Sequence, residues 1–167
     1  MPLSSLRCPK FIAPQVPILS AEPPEGHGWI HEIKHDGFRT LLRIDRGDVR
    51  AFTRGGHDWT DKYGRLIDAC RKLRCQSALI DGEVIVQDKN GLSDFAALRA
   101  AIEGAPHRLV MFAFDLLFQD GEDLRRLPLV ERRERLHSLL PKDQRFPIQF
   151  SEHWDGSARQ ATMYSPN

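Results

Sequence analysis

The spacing of apolar residues changes repeatedly along the middle of the chain, and each change predicts a different element. Several short runs alternate apolar and polar residues and are rich in β-branched and aliphatic types, as half-buried strands are. One later run is almost wholly apolar, which is typical of a strand covered on both faces. Strands are therefore predicted at 29–34, 40–45, 49–53, 77–87 (interrupted by Asp81-Gly82) and 109–118.

Helical spacing, with apolar residues three and four positions apart, occurs between these strands. Helices are predicted after Asp58, from an N-cap at Ser93 to Gly104, and from Pro128 to Pro141. The segment 45–48, Asp-Arg-Gly-Asp, is a hairpin signature. Because hairpins do not occur inside a doubly wound parallel core, this order of elements predicts an α+β fold with a mostly antiparallel sheet.

Composition limits the class of protein. The chain has 167 residues, of which 41% are hydrophobic, enough for one ordinary domain with a real core. The net charge is +1, from 24 Lys and Arg against 23 Asp and Glu, which excludes a strongly basic coat but not a locally basic groove. The sequence shows no apolar run of about 18 residues and no export signal, so we expect a cytoplasmic location and no membrane partner.

The cysteines and histidines do not indicate a metal site. Cys8, Cys70 and Cys75 lack the spacing of zinc ligands, and the seven histidines have no such spacing either. Cys70 falls in the first predicted helix, where a reduced, packed thiol is favoured over a disulfide.

The segment from Glu32 to Arg39 carries the densest candidate chemistry. Glu32 and Lys34 are expected on one strand face, and Asp36-Gly37 allows a turn that brings Arg39 back to the same place. A lysine that is buried or surrounded by positive charge has a depressed pKa and a nucleophilic neutral form, and an arginine fork binds phosphate. The pattern suits a lysine that attacks a phosphate. The alternative is a solvated Glu-Lys pair beside an ordinary turn.

Four segments, in order, resemble motifs of the covalent nucleotidyltransferases, which include ATP-dependent DNA and RNA ligases and mRNA capping enzymes. They are KxDGxR at 34–39, an arginine-plus-glycine motif at 53–56, DGE at 81–83 and an aromatic-FD motif at 112–117. The flanking segments 11–15, 29–32 and 150–153 resemble the ligase domain of bacterial non-homologous end joining. By this resemblance the chain is identified as a member of the ATP-dependent DNA ligases.

The resemblance implies a fold and an activity. The fold is a covalent nucleotidyltransferase, or ATP-grasp-like ligase adenylation, domain of antiparallel sheets with flanking helices. The activity is DNA ligation in repair and recombination, in which 3′-OH/5′-phosphate breaks are sealed through lysyl-AMP. ATP and Mg²⁺ (or Mn²⁺) are the implied cofactors, and nicked or broken double-stranded DNA and end-joining proteins are the implied partners.

The resemblance also implies a role for each residue that would contact the base. Lys34 is the catalytic residue that attacks the α-phosphate, and Glu32 and the backbone around Ile33 accept from the adenine amino group. Phe114 stacks on the adenine. Two alternatives remain open at this point: Glu32 can simply hold Lys34, and Phe114 can be an ordinary core residue of its strand.

Three further residues are implied around the phosphates and ribose. Arg39 and Arg54 bind phosphate, and Glu83 holds the ribose hydroxyls and helps to place the divalent metal. The alternative for Arg54 is a surface arginine at a turn.

Two motifs of the family are not found between Lys142 and Asn167: a Glu-Gly segment leading into a lysine, and a strand with paired lysines. The expected organisation is a Pro-rich lead-in at 1–28 that lies across a domain surface, an adenylation domain incomplete at its C-terminus at 29–156, and an unrelated tail at 157–167, with no OB domain. The second hypothesis is therefore an inactive remnant that at most binds nucleotide or DNA. An unrelated α+β domain is the third.

Overall fold

The computed structural model describes residues 6–155, which form two compact units. The larger unit comprises residues 6–14 and His35–Phe150, and the smaller unit comprises Gln15–Lys34 and residues 151–155. The strands are β1 (Ile30–Glu32), β2 (Phe38–Asp45), β3 (Asp48–Thr53), β4 (Ser77–Ile85), β5 (Val110–Gln119), β6 (Glu122–Asp123), β7 (Ile148–Phe150) and β8 (His153–Asp155). The α-helices are α1 (Gly64–Cys70), α2 (Phe95–Gly104) and α3 (Leu129–Leu139).

A six-stranded sheet forms the larger unit. Its strands follow the order β3-β2-β4-β5-β6, all antiparallel, and β7 pairs with β5 in parallel. The β2–β3 turn has positive φ at Arg46 (51°) and Gly47 (90°), as a type I′ hairpin turn requires. The predicted α+β fold with a mostly antiparallel sheet is confirmed. The short strand β7 and its parallel pairing were not predicted.

All three helices contribute to one apolar cluster on one face of the sheet. Leu66 of α1, Leu98 of α2 and Leu136 of α3 belong to the same cluster as Leu42 of β2 and Ile80 of β4, and all five are buried. Burying each such side chain contributes about 1.5–3 kcal/mol. The apolar residues whose spacing predicted the helices are therefore the residues that face the core.

The opposite face of the sheet carries a second, smaller apolar cluster toward one end. The N-terminal segment covers it with Cys8, Phe11 and Ile12, which pack against buried residues of four strands: Leu41, Phe52, Leu79, Leu117 and Phe118. The Arg43 guanidinium also donates to the Pro9 carbonyl at 3.1 Å. Residues 6–28 contain no helix or strand. In the part of the lead-in that the structure describes, residues 8–12 thus lie over the sheet as expected.

Three details of the predicted elements are wrong. Strand β4 runs through Asp81-Gly82 without interruption, and Gly82 lies so close to β5 that a Cβ would approach the Phe112 carbonyl oxygen to 2.5 Å. The N-cap of α2 is Asp94, whose carboxylate accepts from the Ala97 N–H at 2.8 Å, and not Ser93. The strand predicted at 29–34 ends at Glu32.

The smaller unit is built on a two-stranded sheet. Strands β1 and β8 pair antiparallel, with Ile30 opposite Asp155 and Glu32 opposite His153. The His31 and Trp154 rings stack with centroids 6.2 Å apart. Residues 157–167, assigned above to a tail, lie outside the described residues, so the expected division at 28/29 and 156/157 stays a prediction. Within residues 6–155, no helix has the length and apolar composition to cross a membrane.

Candidate functional site

Three of the four motifs meet on the opposite face of the sheet, beyond the second apolar cluster. In the strand register, Arg39 of β2 pairs with Glu83 of β4, and Glu83 pairs in turn with Phe112 of β5. Asp81 lies two residues before Glu83 on β4, so both carboxylates project from the same side of the strand. Alternate residues of β4 on the other side, such as Ile80 and Val84, belong to the main core, whereas Asp81 and Glu83 follow Leu79 on this side.

Arg39 and Asp81 form a bidentate ion pair at the centre of this face. The Arg39 Nε and Nη2 atoms donate to the two Asp81 oxygens, each at 2.8 Å. This hydrogen bonding raises the pKa of the arginine. Burial raises the pKa of the Asp81 carboxyl despite the nearby guanidinium. The aspartate of the DGE segment therefore holds the Arg39 guanidinium in place, a contact that the sequence analysis did not predict.

Glu83 lies beside this pair and is half-buried. Burial raises the pKa of its carboxyl, while Arg39 and the backbone N–H of Gly37 act in the opposite direction. Gly37 is required here by close approach, since a Cβ would overlap the Val84 carbonyl oxygen and lie 2.8 Å from the Ile85 side chain. The glycine of the first motif thus allows that segment to lie directly against the DGE strand.

Aromatic rings of β5 border the carboxylates. The Arg39 guanidinium lies over the Phe114 ring, with its Cζ atom 4.7 Å from the centroid. The His35 ring stacks on Phe112 with centroids 4.1 Å apart and an interplanar angle of 17°. Burial lowers the pKa of His35, so its ring is neutral around pH 7. Phe114 is partly exposed and belongs to neither buried apolar cluster, which favours a site role over the core alternative.

Arg54 lies at the same end of the sheet as Arg39. It follows Thr53, the β3 residue paired with Thr40, and enters a turn closed by a bond from the Gly56 N–H to the Thr53 carbonyl at 2.8 Å. Its side chain is exposed, and none of the acidic side chains among residues 6–155 forms an ion pair with it. Its guanidinium donors are available to an anion from solution.

The remaining candidates lie in the smaller unit. Glu32 is the last residue of β1, and Ile33 and Lys34 follow it with exposed side chains. Because the strand stops at Glu32, the expectation that Glu32 and Lys34 share a strand face is wrong. The structure brings Arg39, Glu83 and Phe114 together in the larger unit, whereas Lys34, Glu32 and Ile33 are neighbours in the smaller one.

Two contacts of this site were missed in the sequence. One is the Arg39–Asp81 pair, and the other joins Arg132 to Asp115 of the aromatic-FD segment, with nitrogen–oxygen distances of 2.8 and 2.9 Å. The available signal was the same in both cases: an acidic residue inside an otherwise apolar strand, which must find a cationic partner when it is buried. The sequence does not show which arginine is the partner, because the Arg39–Asp81 contact depends on strand register and the Arg132–Asp115 contact depends on how α3 packs on the sheet.

One face of the antiparallel sheet thus brings together an arginine, two carboxylates and an aromatic ring from three of the motifs named in the sequence. The description "ATP dependent DNA ligase domain" belongs to the family whose model matches residues 17–164. The chain belongs to this family.

The relatives agree with this assignment. The chain is 43% identical over 144 residues to the multifunctional non-homologous end joining protein LigD of Pseudomonas aeruginosa, a match that covers 86% of this chain and 17% of the relative. The crystal structure of the ligase domain from M. tuberculosis LigD superposes with a TM-score of 0.64 at 29% identity, covering 79% of this chain and 42% of that one. A mycobacterial DNA ligase D complexed with ATP and MES gives the same TM-score of 0.64 and the same coverage at 28% identity. The chain therefore spans about a fifth or less of the LigD protein and less than half of each ligase structure.

Proposed function

We propose that this chain binds ATP and transfers AMP to Lys34, as the first step of sealing 3′-OH/5′-phosphate breaks in DNA. The observation that carries the proposal is the meeting of Arg39, Asp81, Glu83 and Phe114 on one sheet face. The similarity to a ligase solved with ATP supports it. The adenylation domain in this proposal extends over residues 29–156.

The proposed step exchanges one phosphorus bond for another. The unprotonated Lys34 Nζ attacks the α-phosphorus of ATP, a phosphorus–nitrogen bond forms, and the bond to the pyrophosphate oxygen breaks. Pyrophosphate leaves with the electron pair of that bond, and the amine gives up its proton to solvent. The product is a lysyl phosphoramidate that carries AMP, and DNA end joining would consume it.

The binding groups divide by the part of the nucleotide that they would contact. Phe114 offers a ring face for the adenine, and Glu32 with the backbone at Ile33 would accept from its amino group. The donors of Arg54, which no carboxylate of the described residues occupies, suit the outer phosphates. Arg39 already holds Asp81 with two of its nitrogens, so it would contribute one further donor as well as positive charge.

Of the two carboxylates on this face, Asp81 is paired with Arg39, so Glu83 is the one that we assign to a divalent metal. Glu83 is half-buried with a raised carboxyl pKa, so a cation beside it would favour its ionised form. Within residues 6–155 no three His, Cys, Asp or Glu side chains group as a metal cage. Mg²⁺ suits such a place, because it usually keeps several waters and takes one or two carboxylates plus phosphate oxygens. When bound, Mg²⁺ neutralises phosphate charge, and Glu83 would hold it.

The proposal is tested by the intact mass of the 167-residue protein after incubation with ATP and Mg²⁺. We expect a gain of one AMP, which Lys34→Ala abolishes and Lys10→Ala, an exposed lysine outside the motifs, retains. A chain that binds nucleotide without gaining AMP would support the alternative of a non-catalytic binding domain. An adduct that persists in Lys34→Ala would refute the assignment of the nucleophile.

The choice of base gives a second test, on equilibrium binding. Glu32 and Ile33 are proposed to accept from the adenine amino group, whereas guanine presents a carbonyl at that position. Competition binding should therefore rank ATP above GTP, and Glu32→Ala should narrow the difference. A preference of the wild-type chain for GTP would overturn the proposed base contacts.

A further inference from the structure

The ring proposed to stack on adenine belongs to a residue without a partner in the sheet ladder. Along β5, Ala113 pairs with Gly82 and Asp115 pairs with Asp81, so Phe114 is the extra residue of a β-bulge. Bulges twist a strand and redirect side chains, and they are common beside active sites. The ladder alone therefore does not hold Phe114, and its direction must depend on other contacts.

The Arg39 guanidinium contacts the Phe114 ring, and two consecutive arginines near the start of α3 contact the strand at the bulge. Arg133 donates from Nη1 to the Phe114 carbonyl at 2.9 Å. Arg132 donates from Nε and Nη2 to the two carboxylate oxygens of Asp115 at 2.8 and 2.9 Å, and from Nη1 to the Leu127 carbonyl at 2.7 Å. We name Arg132, Arg133 and Asp115 the bulge clamp.

The bulge clamp is much less exposed than an ordinary surface ion pair. The side chains of Arg132 and Asp115 are 14% and 16% exposed, and Arg133 is 1% exposed. One turn further along α3, the Arg135–Glu122 pair is 40% and 55% exposed. Planar, bidentate arginine pairs fix geometry better than single contacts do. Solvent screening also weakens an ion pair less when little of it is exposed. The contacts of the bulge clamp therefore restrain the backbone on which Phe114 stands.

We infer that Arg132, Arg133 and Asp115 are positioning residues that fix Phe114 for stacking on the base of the bound nucleotide, an inference that rests on the proposed function. A ring held in its binding orientation loses little conformational freedom when the base arrives, and the bound base then stacks in one arrangement. Loss of the bulge clamp should leave nucleotide phosphates bound while the base stacks poorly.

Fluorescence of a stacked base analogue tests this directly. The probe is 8-vinyladenosine triphosphate, a fluorescent ATP analogue that keeps the 6-amino group of adenine and whose emission falls when the base stacks on an aromatic ring. It is titrated into the full 167-residue wild-type chain and into Arg132→Gln, Asp115→Asn and Phe114→Leu. Arg135→Gln is the matched control, because it removes an ion pair from the same helix. Urea unfolding of each variant is measured beside the titration.

The fraction of emission quenched at saturating protein is the deciding readout, because a loss of stability alone does not change it. We expect strong quenching by the wild type and by Arg135→Gln, and weak quenching by Phe114→Leu, Arg132→Gln and Asp115→Asn. Affinity should weaken about three- to tenfold in the clamp variants, the range expected from an aromatic contact.

Any other result would overturn either the proposed function or the inference about the bulge clamp. If the wild type neither binds nor quenches the probe, the proposed function fails and the inference fails with it. If the wild type quenches and the clamp variants quench equally, the inference alone fails. If Arg132→Gln does not fold, the nearly isosteric Asp115→Asn decides, and unfolding of both variants would show a purely structural role and overturn the inference.

Discussion

Removal of Arg39 should expose how much the buried Asp81 carboxylate depends on its partner. The Arg39→Gln variant keeps a polar side chain of similar reach but loses the charge and the bidentate fork. Asp81 is 5% exposed at its side chain, so water replaces the lost donors poorly, whereas Arg39 itself is 24% exposed. Arg39→Gln therefore leaves the Asp81 carboxylate with little access to water and without its cationic partner.

The magnitude follows from the two charge-assisted hydrogen bonds. Bonds to charged groups contribute roughly 1.5–3 kcal/mol each, and removing one partner of a buried ion pair costs roughly 3–5 kcal/mol. Because Arg39 is partly reached by solvent, we expect the lower end of this range, a loss of about 3 kcal/mol in the free energy of unfolding at about pH 7.5. Arg135→Gln, which breaks an exposed pair, should cost no more than about 1 kcal/mol.

The loss should depend on pH with a definite sign. Burial already raises the pKa of Asp81, and removing Arg39 removes the largest of the contacts that oppose this, so the folded-state pKa rises further. A carboxyl whose folded pKa lies above its unfolded value favours folding when protonated, and this contribution is lost as pH rises through the folded pKa. The difference between variant and wild type should therefore be smaller at about pH 5 than at about pH 7.5.

The assay is urea unfolding of wild type, Arg39→Gln and Arg135→Gln at both pH values, without nucleotide. Subtracting the wild type at each pH removes the titration of every other group. The reasoning is refuted if Arg39→Gln costs no more than Arg135→Gln at the higher pH, or if its cost grows on acidification.

Three further predictions concern the scaffold. Gly37→Ala should lower the free energy of unfolding by roughly 1–3 kcal/mol or more, because its Cβ would overlap β4. Gly64→Ala is the control and should be neutral or slightly stabilising, because a Cβ there meets nothing within 4 Å. Equal urea midpoints for the two variants would contradict this. Asp94→Ala should lower stability by about 1 kcal/mol through loss of the cap and Ser93→Ala by less, and the reverse order would restore Ser93 as the cap. Cys70, buried and with a raised thiol pKa, should react with a thiol reagent only as fast as the protein unfolds, and rapid labelling that Cys70→Ala removes would contradict its burial.

Local signals in the sequence were sufficient for most of the sheet. The hairpin turn at 45–48 was predictable because Gly47 supplies a positive φ between two alternating runs, and β5 was predictable from its almost wholly apolar run. The three-residue strands β7 and β8 are too short to show a period, so neither was predicted. The end of β1 was missed because Ile33 and Lys34 continue its alternation although they do not pair.

The contacts of the site needed information that no local pattern holds. The motifs named Arg39 and Asp81 separately, 42 positions apart, but their pairing depends on the register between β2 and β4. The bulge at Phe114 depends likewise on how β5 pairs with β4, and Arg132 depends on how α3 docks. The sequence therefore named Arg39, Asp81 and Phe114 as members of motifs but did not predict the contacts between them and their neighbours.

The central place of β4 has a consequence for how the site comes into being during folding. Asp81 stands between Leu41 on one side and Asp115 on the other, so the face is complete only when segments far apart in the chain have closed long loops. During synthesis, β2 and β4 can meet while β5 is still inside the ribosome, and Phe112 and Phe114 arrive only afterwards. Once formed, the face lies in the interior of the sheet, so it opens only if the hydrogen bonds of β4 to both β2 and β5 break. We therefore expect the backbone amide protons of β4 to exchange at the rate at which the whole sheet opens. The face that carries Arg39, Asp81 and Phe114 should therefore persist for as long as the sheet itself stays folded.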